Sequence, residues 1–137
     1  MPRLAALGVA VLAFVSMASA APKVVLKATL TGAYLHAGGG SGTATITIAG
    51  KQVCWKFTYK GIDKPMDSGI HIVPPPAAGK HSRSILPFTA STSTAPGCVA
   101  GRAAWISKIL ANPGGFYVHI TTARYPNGAI GGKLHRS

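Results

Sequence analysis

Residues Phe116–Leu134 read FYVHITTARYPNGAIGGKL, and this stretch decides the fold class. Phe116, Val118 and Ile120 alternate with Tyr117, His119 and Thr121, the period-two pattern of a strand with one buried face. Tyr125-Pro126-Asn127-Gly128 then supplies a turn. Proline presets φ at the first central position, and Asn-Gly tolerates the positive φ that follows. Ala129–Leu134 runs back, with Gly131 and Gly132 marking a bulge or a close backbone approach. The chain therefore ends in a β-hairpin.

Working outward, the same alternation recurs. Val24, Leu26, Ala28 and Leu30 share one side of a strand, opposite Val25, Lys27 and Thr29. In Thr43–Ala49, Ala44, Ile46 and Ile48 face inward and the threonines outward. Ala49-Gly50-Lys51 turns this segment into Gln52–Gly61, where Val53, Trp55, Phe57 and Tyr59 share a face. Cys54 lies on the other face, so a bridge from it should pin the loop Thr89–Gly97 across the outer side of the sheet. His36–Gly42 (HAGGGSG) reads as a loop whose glycines do not hold a strand, and Asp63–Ser68 reads as a turn. Gly69–Val73 and Ser84–Phe88 are short strands, the second placed at a sheet edge by Pro87. Cys98–Arg102 is strand-like. Ala103–Asn112 is the one helical candidate, with Trp105, Ile106, Ile109 and Leu110 as its apolar stripe and Asn112-Pro113-Gly114 as its stop. The expected fold is all-β: an antiparallel Greek-key-like sandwich or flattened barrel of about seven strands, with one short helix and one disulfide.

Met1–Ala20 has the form of a signal peptide. Arg3 gives a positive start, Leu4–Val15 an apolar run shorter than a membrane span, and Ala18-Ser19-Ala20 a small-x-small cleavage site. The expected mature domain is residues 21–137, secreted or periplasmic, with no transmembrane segment after cleavage. Two cysteines, Cys54 and Cys98, are most simply a disulfide in an exported chain. By the chain-entropy model that bridge stabilises the fold by about 4 kcal/mol.

Fourteen Lys and Arg against two acids give a net charge of +12. Such a field attracts anionic surfaces. The lysines are dispersed along the chain and no nucleic-acid-binding motif accompanies them, so specific nucleic-acid recognition is not expected. Scarce acids also exclude chemistry. Asp63 and Asp67 do not make the separated carboxylate pair of a glycosidase, nor a calcium or two-metal cage. Gly39-Gly40-Ser41-Gly42 misses the nucleophile-elbow spacing, and the glycine-rich loop precedes a strand rather than a phosphate-binding helix.

The aromatic-Tyr-Val strand, the Pro126-Asn127-Gly128 turn and the Ile130-Gly131-Gly132-Lys133-Leu134 ending resemble the C-terminal signature of the CHRD domain, the module named for chordin and common in secreted bacterial proteins. The resemblance covers roughly Lys27–Leu134 and implies a β fold and export, without implying a reaction. In the family pattern four positions tend to be His, His, Asn and His; this sequence carries His71, Val73, His119 and Thr121 there. An acidic residue before the Tyr-Pro turn is replaced by Arg124, and Gly131 stands where the family often has arginine. Alternation puts His71 and His119 on corresponding faces of neighbouring strands. Two imidazoles within about 5 Å are near enough to share copper or zinc, with His36 or His81 as a third ligand. The competing expectation is a buried polar pair that fixes sheet register.

The function expected from these features is a non-catalytic exported module, binding an unknown protein or an anionic envelope polymer or serving a structural role, with no cofactor. The alternatives are a copper- or zinc-binding protein with a superoxide-dismutase-like sandwich, and a cationic protein adhering to anionic envelope polymers.

Overall fold

The computed structural model describes residues 5, 8–14, 22–77, 83–88 and 94–137. The proposed cleavage site at Ala18–Ala20, His81 and most of the loop before Cys98 lie outside them. Among the described residues no helix is long and apolar enough to cross a membrane.

The chain folds as one curled antiparallel sheet. Its strands are β1 (Lys23–Thr31), β2 (Ser41–Ala49), β3 (Gln52–Lys60), β4 (Pro65–Ile72), β5 (Ser84–Pro87), β6 (Gly97–Ala100), β7 (Phe116–Thr122), β8 (Ile130–Lys133) and β9 (His135–Arg136), with helix α1 (Ala103–Ala111) between β6 and β7. The spatial order is β5-β4-β7-β8-β1-β2-β3-β6, and β9 pairs with β1. This matches the flattened-barrel form of the expected fold, with nine strands rather than about seven. One strand not read from the sequence is β9, two residues beyond Leu134 that pair with β1.

The alternation read from the sequence sets the core. Leu26, Ala28 and Leu30 of β1, Ala44, Ile46 and Ile48 of β2, and Val53 and Trp55 of β3 are buried on the concave side, with Ile70, Val118, Ile120 and Ile130. Curling brings the far parts of the sheet together. Phe88, just beyond β5, stacks on Trp55 of β3 with centroids 4.4 Å apart and planes 4° from parallel. The Trp55 indole also donates to the Ala95 carbonyl at 2.8 Å. Helix α1 covers an open end of the concave side through buried Ile106 and Ile109, with Trp105 edge-on to Phe116. Pro87 does lie in an edge strand, since β5 ends the strand order.

Four local expectations are corrected. Residues 65–68, expected as a turn, belong to β4, and a bulge between Pro65 and Ser68 accounts for their irregular pattern. Gly42, expected in a loop, sits inside β2 opposite Leu30 and Tyr59, where the missing side chain lets the neighbouring strands approach. The bridge does not pin a loop. Cys54 and Cys98 face each other directly in β3 and β6, with Cα atoms 4.0 Å apart and sulfurs bonded. It is a rung between adjacent strands, on the outer side as the alternation of Cys54 required. Finally, β7 has two buried faces rather than one: all seven of its residues are buried.

Candidate functional site

The second buried face of β7 makes the site. Register sets His119 opposite Gly69 and Tyr117 opposite His71 across β4, so His71, Tyr117 and His119 project together from the convex side. His71 and His119 are each only 5% exposed, and Tyr117 is fully buried. The two imidazole centroids are 3.8 Å apart with planes tilted 52°. His71 also stacks on Tyr117 at 5.3 Å, and Tyr34 meets Tyr117 edge-on at 5.7 Å.

What buries these rings is a lid from the β1–β2 connection and the β7–β8 turn. After β1 the chain makes a short 3-10 turn, Ala33–Leu35, closed by a left-handed His36 with φ 54°. Leu35 drops onto the hairpin. Gly128, at φ 128°, has its Cα facing both Leu35 and the Nδ1 of His119, and a side chain there would collide with Leu35. Gly131 is under the same leucine: a Cβ would come within 2.9 Å of Leu35 Cδ1. The arginine that the resemblance places there would therefore need the space Leu35 occupies. Arg124 instead lies over the Tyr125 ring at 5.6 Å. The Pro126-Asn127-Gly128 turn forms as read. Gly128 N–H donates to the Tyr125 carbonyl at 3.0 Å, and Ala129 N–H to the Ile120 carbonyl at 2.8 Å.

Burial dictates the charge state. Desolvation lowers the His71 pKa to about 4. His119 is lowered to about 3, first by burial and then by the neighbouring His71, while the Asn127 main chain pulls the other way. The Nδ1 of His119 makes no hydrogen bond of good geometry among the described residues, so the Asn127 contribution is a weak, misaligned one. Both rings are neutral at pH 7.

The geometry also tests a metal. An ion about 2 Å from one nitrogen of each ring holds two imidazole centroids roughly 5 Å apart. These rings sit closer than that, in van der Waals contact. No group of three His, Cys, Asp or Glu side chains able to hold a metal occurs among the described residues. His36 is exposed and lines a surface hollow on the hairpin with Arg124, Tyr125 and Asn127.

The two positions where the expected histidines are missing have other work. Thr121 Oγ1 accepts from Asp67 N–H at 2.9 Å and donates to the Asp67 carbonyl at 3.3 Å. Its hydroxyl replaces the ladder bonds lost at the β4 bulge. Val73 N–H donates to the Gly115 carbonyl at 3.0 Å as the chain leaves β4. Sequence reasoning missed Leu35 and Tyr34, the side chains that roof the pair, because nothing in their own segment marks them as covering a distant strand.

Comparison with curated proteins and with solved structures gave no match. The CHRD domain family model matches residues 26–134, which spans β1 through β8 and includes both histidines, both cysteines and the hairpin turn. The chain belongs to the CHRD domain family.

Proposed function

We propose that this protein is an exported, non-catalytic binding or structural module of the cell envelope or extracellular space. The observation that carries the proposal is where the shifted histidines among the described residues lie. His71 and His119, the imidazoles whose pKa values depart from the ordinary range, are packed ring against ring beneath Leu35 and the hairpin turn. A general base must reach a substrate proton, and these rings are spent on holding β4, β7 and the lid together. Membership of the CHRD family supports the module reading. The Cys54–Cys98 bridge suits an oxidising compartment. Val9, Val11, Leu12 and Phe14 are 78–92% exposed, as suits an apolar leader destined for removal.

The metal alternative is the weaker one, because the ring spacing favours packing over chelation. Elemental analysis of protein purified without chelator checks it, and a stoichiometric copper or zinc content would reverse that order. The module reading is tested by a pull-down from an envelope extract together with a glycan array. Stoichiometric capture of a partner is the expected result, and a clean blank on both would sink it.

A further inference from the structure

We infer that the convex face of β1, β2 and β3 is a docking surface for a linear polysaccharide bearing carboxylates, a polyuronate. This deepens the module proposal and rests on it.

Lysines dispersed along the sequence converge here. On β1 the outward residues include Lys23, Lys27 and Thr29; on β2 they are Ser41, Thr43, Thr45 and Thr47; on β3 they include Lys56, Thr58 and Lys60. Register aligns them into rows across the strands. His135, Lys27, Thr45 and Lys56 form one row. Thr29, Thr43 and Thr58 form the next, and Thr31, Ser41 and Lys60 the one after. A central strip of hydroxyls on β2 is thus flanked by ammonium groups on both sides. With strands about 4.8 Å apart, Lys27 and Lys56 rise roughly 10 Å from each other with Thr45 between them. Lys56 and Lys60 are roughly 13 Å apart along β3. Neither Asp63 nor Asp67 belongs to these strands.

The surface is also shaped. A hollow whose lining includes Lys27, Thr29, Thr43, Thr45 and His135 adjoins a second lined by Ser41, Gly42, Thr43, Thr58, Tyr59 and Lys60, and Thr43 is common to both. Two shallow depressions sharing a wall make a track, which suits an extended chain rather than a compact ligand. Threonine hydroxyls hydrogen-bond sugar hydroxyls, and the lysines supply point charges for carboxylates. Tyr59, 41% exposed, is the one aromatic residue lining the two hollows, whereas single-strand nucleic-acid binders stack successive bases on several rings. The exposed large apolar side chains of these strands are Val25 at 37% and Tyr59 at 41%, too little to anchor in a bilayer. Charge and hydroxyls with so little apolar surface favour a wet polysaccharide over a membrane.

The test is binding of the full-length protein to immobilised polygalacturonate, with neutral dextran and phosphatidylglycerol-containing vesicles as comparators. The proposal expects retention on polygalacturonate and not on dextran, weakening as salt rises. It expects about tenfold weaker binding, or worse, in Lys27→Gln/Lys56→Gln/Lys60→Gln. A control of equal charge loss elsewhere, Lys64→Gln/Arg102→Gln/Lys108→Gln, should stay within about twofold, with unchanged thermal midpoints certifying both folds. Equal weakening in the two triples would show a diffuse charge effect and overturn the assignment. Stronger retention on the vesicles would overturn it in favour of a membrane. Absence of binding to polygalacturonate would also overturn it, while a partner captured in the pull-down would leave the module reading standing.

Discussion

Across β1, β2 and β3 the convex side of the sheet holds Lys27, Thr29, Thr43, Lys56 and Thr58 out in solvent, whereas across β4 and β7 the same side holds His71, Tyr117, His119 and Thr121 almost fully buried. The two regions are continuous: Thr31 of β1 lies opposite Gly131 of β8, which lies opposite His119 of β7. What differs is the material above them. The β1–β2 connection folds back with Leu35 and Tyr34 over the second region, while the first has the Cys54–Cys98 rung and a strip of short hydroxyl side chains. One half of the face is kept in place by a roof, and the other by cross-links within the sheet.

The largest way to break this contrast is to remove the rung. Cys54→Ser/Cys98→Ser should cost about 4 kcal/mol of folding stability. The loss should appear first as faster amide exchange in β3 and β6, with β4 and β7 protected until global unfolding. Uniform acceleration across all strands would show that the two halves are not separately secured.

Acidification attacks the roofed half. Well above pH 6.5 the histidines are neutral in both the folded and unfolded chains and contribute no pH dependence. Below it the unfolded chain takes up protons that the folded chain refuses until about pH 4 for His71 and 3 for His119. Stability should therefore fall as pH drops from 6.5 towards 3, by on the order of 4 kcal/mol between pH 7 and pH 5. Urea midpoints measured across that interval check it, and a flat profile would contradict the neutral, buried pair.

A matched pair of substitutions gives the finest resolution. Thr121→Val removes a hydroxyl that serves both main-chain groups of Asp67 at the bulge, and should destabilise by about 1–3 kcal/mol. Thr45→Val, the same chemical change in the solvent-facing half, should stay within about 0.5 kcal/mol. Equal costs in chemical denaturation would erase the distinction between the two regions.

Much of the scaffold was legible because strand alternation is a local signal. Leu26, Ile46 and Trp55 announced the concave face, Cys54 announced its outward direction, and Pro126-Asn127-Gly128 announced the hairpin. The convex face was legible only in fragments. That His71 and His119 would meet followed from alternation and the kinship, but their burial depends on Leu35, which is placed by a left-handed turn at His36. The lysine rows were hidden for the opposite reason. Lys27 and Lys56 are far apart along the chain, and only the registers of β1 with β2 and of β2 with β3 bring them into line. At the β4 bulge the pattern fails because Thr121 substitutes side-chain bonds for backbone ones.

An incompletely closed sheet has two margins, each a template on which a strand from another molecule could add. Here one margin is β5, where Pro87 has no amide hydrogen to offer an incoming chain. The other is β6, only four residues long and covalently tied to its neighbour. The fold thus discourages edge-to-edge polymerisation with an imino acid on one flank and brevity on the other.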